Sequence, residues 1–275
     1  MKNTQTIERL DRVMNIFKVS EAHIRPHCIV VGPSGAGKTH NIELLVEKHG
    51  LPSIQINAAQ LTKEGMSGNS LSKALTPLTQ FGNSPVVVLV DEFDKLFISG
   101  NSNSELAHEV TNGVQNEFLR VMEAKTTDVF ADYGKYVRAR TENALFIFMG
   151  AFNGQENINV DDLREFGVKT EFLGRAGLVF NVEKPSIEDL LAMLKKSDLI
   201  EQYSKLFPSI KRAKVEADIG AELRKAHENN TLGARAINAL VHQYYINGGL
   251  KAEAAKRSLF SGTLDFSPGS AVVKK

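Results

Sequence analysis

A single cysteine, Cys28, occurs in 275 residues, which excludes an internal disulfide and any zinc module built on cysteines. Its place in an apolar run suits a buried structural thiol. Long hydrophobic runs are missing too: the apolar runs, such as Val86 to Val90, are strand-sized and far short of the ~20 residues of a membrane-spanning helix. Charge of one sign is not in excess. With 33 Lys and Arg against 32 Asp and Glu, the formal net charge is +1, without the basic surplus that nucleic-acid binding domains carry. No signal peptide is expected at the N-terminus, because Ile7, Leu10, Val13, Met14 and Phe17 fall on one helical face between charged residues. A cytoplasmic globular protein is expected, and a composition 42% hydrophobic and 24% charged agrees with it.

What is present centres on Gly32-Pro33-Ser34-Gly35-Ala36-Gly37-Lys38-Thr39, preceded by Cys28-Ile29-Val30-Val31 and followed by the helical pattern Ile42, Leu45, Val46. Strand, glycine-rich loop and helix in that order make a phosphate site. Successive backbone N–H groups converge on an anion, and the helix aims its positive dipole end at the same place. Gly32 and Gly37 permit close backbone approach, Lys38 reaches the β and γ phosphates, and the Thr39 hydroxyl ligates Mg²⁺.

Along the chain, a helix over 5–18 ends before Arg25-Pro26, and a helix follows the loop to about His49. A strand is expected at Ser53 to Ile56 and a helix through Leu71, Leu75 and Leu78. Val86 to Val90 is apolar on both faces, as a central parallel strand is. Leu106, Val110, Val114, Phe118 and Met122 recur every four positions and predict one long helix. Strands at Leu145 to Met149 and Leu178 to Val182 complete an α/β domain whose parallel sheet should hold its ligand at the carboxyl ends of the strands. Past Lys184-Pro185 the pattern turns helical over 186–206, 216–229 and 234–247. The expected domains are 1–184, a nucleotide-binding α/β domain; 185–261, a small all-α lid; and 262–275, a flexible tail.

Asp91-Glu92 closes the strand Val86 to Val90 about fifty residues after the loop. Asp91 is expected in the Mg²⁺ shell and Glu92 as the base that orients and deprotonates the attacking water. Asn153, beyond the next buried strand, reads either as an amide reaching the γ-phosphate or as a turn cap. Spacing alone assigns no role to Arg175 or Arg235. His23, His27 and Cys28 are close enough to suggest a metal, but Arg25-Pro26 interrupts any helix that would align them, which favours separate structural roles. Lys205, Lys211, Arg212 and Lys214 form a basic stretch whose default reading is a solvated face.

The chain resembles AAA+ ATPases of the ClpX/HslU unfoldase branch over most of residues 28–247. The resemblance is carried by both nucleotide motifs, by Leu61 to Gly68, by His108 to Gln115, by Phe148 to Phe152, by Asp162-Leu163 through Arg175, and by Gly233-Ala234-Arg235. It implies ATP and Mg²⁺ as ligands, ATP hydrolysis, and a homo-oligomeric ring, most often a hexamer, that unfolds or remodels proteins. It also implies that Arg175 is an arginine finger offered to a neighbour, Arg235 the sensor-2 arginine of the lid, and Asn153 a sensor-1 candidate. In the family's first pore loop an aromatic and an aliphatic residue stand between two glycines; here they are Met66 and Ser67, and Gly65 to Gly68 also fits a surface turn. The zinc-binding N-terminal domain of ClpX, its peptidase-docking loop and the intermediate domain of HslU have no counterpart, so no ClpP-type docking is expected. An AAA+ protein acting on nucleic acid is the alternative, and a non-hydrolysing nucleotide-gated scaffold is disfavoured by Glu92.

Overall fold

The helical spacing of Leu10, Val13, Met14 and Phe17 becomes α1 (Thr4–Val19), which buries those four side chains. The computed structural model describes residues 3–62, 69–97, 105–130, 134–227 and 232–250. Met66, Ser67 and the expected tail lie outside the described residues. β1 (Cys28–Val31) is wholly buried, and α2 (Lys38–His49) starts directly from the glycine-rich loop. β2 (Ser53–Asn57) is followed by two short parallel partners, β3 (Leu61–Thr62) and β4 (Asn69–Ser70).

The single helix expected through Leu71, Leu75 and Leu78 does not form. α3 (Leu71–Ala74) stops after one turn and a 3-10 turn, Thr76–Gln80, takes over, because Pro77 has no amide hydrogen to continue the helix. The three leucines remain buried all the same. β5 (Val86–Asp91) is buried through Val90, and α4 (Glu105–Glu123) buries Val114, Phe118, Val121 and Met122. An antiparallel pair, β6 (Thr126–Phe130) and β7 (Tyr136–Arg140), occupies a stretch whose polar pattern predicts no element. β8 (Ala144–Gly150) is buried throughout. α5 (Val160–Glu165) then opens with a capping box between Asn159 and Asp162, and α6 (Thr170–Arg175) and β9 (Leu178–Asn181) follow.

Five strands form one parallel sheet in the order β2-β5-β8-β1-β9. β1, β8 and β5 are therefore neighbours at its centre, and the glycine-rich loop, Gly150 and Asp91 all stand at the same, carboxyl, edge. On one face three phenylalanines from different elements meet. Phe93 lies 4.8 Å from Phe148 and 5.2 Å from Phe172 between ring centroids, and Phe148 lies 4.9 Å from Phe172. Pairs at these separations add about 0.5–1.5 kcal/mol each beyond the area they bury. They fasten the turn after β5 to β8 and to α6.

Two compact units result. Asn3–Pro33 and Gly37–Glu183 make the α/β unit; the described residues from Lys184 on, together with Ser34–Ala36, make the other. In the second unit the stretch 186–206, expected as one helix, is two: α7 (Ile187–Lys195), capped by a Ser186–Asp189 box, and α8 (Asp198–Leu206), whose N-cap Ser197 accepts from Ile200. Ser197-Asp198 is itself a helix-start signal, which explains the break. α9 (Arg212–Ala226) begins four residues earlier than expected, and α10 (Arg235–Asn247) completes the set. Leu190, Leu194, Ile200, Val215, Ile219, Val241 and Tyr244 are the heart of a separate apolar core. Among the described residues, no helix is long and apolar enough to cross a membrane.

His27, just before β1, is 6% exposed, with its Nδ1 accepting the Phe146 N–H at 3.1 Å. Burial, then the nearby Arg25 charge, pulls its pKa down from 6.5 to about 3. The unfolded imidazole takes up a proton as pH falls through about 6.5, whereas the folded one stays neutral until near 3. Stability is thus fully present above the unfolded pKa and declines as pH falls, by up to about 1.4 kcal/mol per pH unit in that window. Melting of the wild-type protein and of His27→Gln, followed from about pH 7 to about pH 5, should show the steeper decline in the wild type. Equal slopes would assign the acid sensitivity to other groups.

Candidate functional site

Gly37 is the left-handed residue, φ 85°, through which the glycine-rich loop turns into α2, and a Cβ there would press on the Asn41 amide at 3.2 Å. Gly32 is fixed by packing: a Cβ at that position would stand 2.1 Å from the Val182 carbonyl oxygen. The start of α2 has no side-chain cap, so its first amide donors are left for an anion. Lys38 Nζ donates to the carbonyls of Gly32 at 2.6 Å and Pro33 at 3.1 Å, which keeps its ammonium folded over the loop.

From the neighbouring side of the sheet, Asp91 ends β5 with both carboxylate oxygens engaged. Oδ2 accepts the Thr39 hydroxyl at 2.9 Å and Oδ1 accepts the Glu92 N–H at 2.8 Å. Hydroxyl and carboxylate oxygens side by side are the hard donors that Mg²⁺ takes. The glycine-lined loop, the uncapped helix start and this oxygen pair fit a nucleoside triphosphate with its magnesium ion.

Glu92 itself is exposed and left-handed, φ 54°. That conformation is uncommon for a residue with a side chain, and it turns the carboxylate out of the strand direction just after Asp91. Asn153 is also exposed and left-handed, φ 57°, in a short 3-10 turn beyond β8, next to Phe152 at φ 43°. Asparagine is one of the few residues that enters this region readily, so the backbone alone gives a reason for it. Among the described residues, its amide has no hydrogen-bond partner.

The remaining arginines separate. Arg175, at the end of α6, is held by Glu123 of its own chain, with Nη2 at 2.7 Å and Nε at 2.9 Å from Oε1, and not by any residue of the phosphate loop. Arg235 begins α10 and, within the unit that includes Ser34–Ala36, donates to Ser34 Oγ at 3.3 Å; the Ala234 N–H donates to the Gly35 carbonyl at 3.0 Å. The metal reading of His23, His27 and Cys28 is not supported. His27 Nδ1 serves Phe146, His23 Nδ1 meets the Ser20 carbonyl at 2.7 Å, and burial pushes the Cys28 thiol up to about 12. In the basic stretch, Arg212 pairs with Glu216 and Lys205 with Glu201. A cavity of about 1120 Å³ opens among Arg25, Pro52, Ser84 and Asn143 at the amino ends of the strands, the opposite edge from the phosphate loop.

Two buried polar groups, Gln115 and Asp94, have no role assigned from sequence. Gln115, fully buried, donates to the Gly167 carbonyl and accepts the Lys169 N–H at the start of α6. Asp94, two residues past Glu92, accepts the Ala151 N–H. An apolar surrounding for a polar side chain would have been the signal for each, and the partner in each case is more than fifty residues away.

Residues 28–172 match the ATPase family associated with various cellular activities (AAA). The chain is similar to the ATP-dependent Clp protease ATP-binding subunit ClpX of Bacteroides thetaiotaomicron, 26% identical over 288 residues that cover 88% of this chain and 69% of the relative. It is similar to the protein of the same name from Treponema denticola, 25% identical over 295 residues, 89% of this chain and 70% of the relative.

Proposed function

Because the chain belongs to the AAA family of ATPases, and is thereby an ATP-hydrolysing enzyme, we propose that it works as a homo-oligomeric ring, a hexamer, that unfolds or remodels protein substrates. The supporting observation is the extent of similarity to proteins named ClpX, which reaches well past residues 28–172 to 88% of the chain.

In this reading Lys38 binds the β and γ phosphates, and Thr39 and Asp91 hold Mg²⁺, which when bound offsets phosphate charge. Ser34, Gly35 and Ala36 line the loop. Glu92 takes a proton from the attacking water, and Asn153 and Arg235 read the γ-phosphate. Asp91 accepts the Glu92 N–H, which fixes the main chain from which the Glu92 carboxylate extends. Arg175 completes the site of an adjacent subunit, and Met66 and Ser67 contact the substrate chain.

ATP turnover at saturating nucleotide, measured with a permanently unfolded polypeptide and separately with DNA over a range of salt, tests the choice of substrate. Stimulation by the polypeptide is expected. Stimulation by DNA that collapses with rising salt would instead favour the nucleic-acid reading.

A further inference from the structure

Among the described residues, the Asp94 side chain links the turn that carries Glu92 to the turn that carries Asn153. Asp94 is 1% exposed, so it cannot touch a nucleotide, a metal ion or water in the site. Its Oδ1 accepts the Ala151 N–H at 3.0 Å. Its Oδ2 accepts no hydrogen bond, although the Lys95 ammonium stands 3.3 Å away. Burying a carboxylate whose second oxygen has only an ion pair with a half-exposed ammonium is costly, and such a residue needs a reason.

The reason lies in the backbone on either side of it. Glu92, Phe152 and Asn153 all have positive φ, at 54°, 43° and 57°. For Glu and Phe such angles persist only when the surroundings over-determine them. Asp94 is placed to do so, because it is two residues from Glu92 and its bond ends on the amide immediately before Phe152. The approach is also close. At Gly150, the residue before Ala151, an added Cβ would come within 3.1 Å of Asp94 Cβ and 2.6 Å of the Phe152 ring, so only glycine lets the two turns meet.

We infer that Asp94 is a positioning residue for ATP hydrolysis: its buried carboxylate locks the Glu92 turn to the Phe152-Asn153 turn, so that the water-activating and phosphate-reading side chains keep one mutual geometry. The inference rests on the assignment of Glu92 as the base. A misplacement on the order of 1 Å costs about 10²-fold in rate, which sets the scale of the expected effect.

The test compares Asp94→Ala, which removes the acceptor, with Asp94→Asn, whose amide oxygen can still accept from Ala151. For each, three quantities are measured: kcat, the Kd of a non-hydrolysable ATP analogue, and hydrogen exchange of the Ala151 amide in the nucleotide-free protein. Asp94→Ala should lower kcat by about 10- to 100-fold, leave Kd within about 3-fold and expose the Ala151 amide to exchange. Asp94→Asn should keep that amide protected and kcat within about 3-fold of wild type. The inference is overturned if Asp94→Ala keeps wild-type kcat, if it loses Kd in step with kcat, or if Asp94→Asn is as slow as Asp94→Ala. Should Asp94→Ala not fold, Asp94→Asn decides alone: a large kcat loss with Ala151 still protected overturns the lock, and retention of both supports it. Glu92→Gln is run alongside. If it hydrolyses ATP at the wild-type rate, the base assignment fails; if it is inactive while Asp94→Ala is not, only the lock fails.

Discussion

Replacing Arg175 with alanine is expected to lower turnover of the assembled protein by about 10³ to 10⁵, the range over which an arginine supplied in trans stabilises transition-state charge on a phosphoryl group. Within one chain this guanidinium pairs with Glu123, at 2.7 Å, and not with the phosphate loop. Both side chains of that pair are about half exposed, at 56% and 50%, and an exposed pair contributes at most about 1 kcal/mol. A neighbour's phosphate can therefore draw the arginine away at little cost. Phosphate release by Arg175→Ala gives the size of the effect, and mixing gives its direction. Arg175→Ala subunits keep Glu92, while Glu92→Gln subunits keep Arg175, so a ring containing both has complete sites wherever the second offers its arginine to the first. Turnover should reappear in the mixture. If it does not, Arg175 acts within its own subunit or only through the fold.

Glu92→Gln should reduce hydrolysis by about 10² to 10⁴, the usual worth of a positioned general base, and leave ATP binding intact. Glutamine preserves the length and volume of the side chain and removes only its basicity. The groups that would hold nucleotide, Lys38, Thr39 and Asp91, keep their contacts, because the Asp91 bond to residue 92 is made to the backbone N–H. Binding of a fluorescent ATP analogue beside steady-state phosphate release separates the two effects. Turnover near wild type would remove Glu92 from the mechanism, and a parallel loss of binding would recast it as a residue that shapes the loop.

The parts of this arrangement that were legible in the sequence are those whose physics is local. A phosphate loop is a run of glycines between a strand and a helix, and Val86 to Val90 announces burial on both faces within five residues. The pairing of Thr39 with Asp91 could be expected because both belong to recognisable motifs. Asp94 could not, because its meaning depends on Ala151, which lies on an adjacent strand end but 57 residues on. The break between α7 and α8 was written in Ser197-Asp198 and was overridden by the apolar periodicity on either side. The β6–β7 pair was hidden for the opposite reason: Thr126, Thr127, Asp128, Arg138 and Arg140 leave it too polar to stand out, although Val129 and Ala139 are its buried members and Gly134, φ 72°, marks the turn.

The phenylalanine triangle has a consequence for genetics. Phe93 follows Glu92 directly, and Phe172 sits on the six-residue helix that ends in Arg175. Phe148 lies against both rings. On the roles proposed for Glu92 and Arg175, an allele that changes one of these three side chains would disturb the support of two functional groups at once, which in the proposed ring would serve two different sites. Such alleles would group with active-site alleles in a phenotypic screen while mapping to the hydrophobic interior. In mixed assemblies they would behave as dominant, since the defect travels with the subunit to whichever neighbour depends on it.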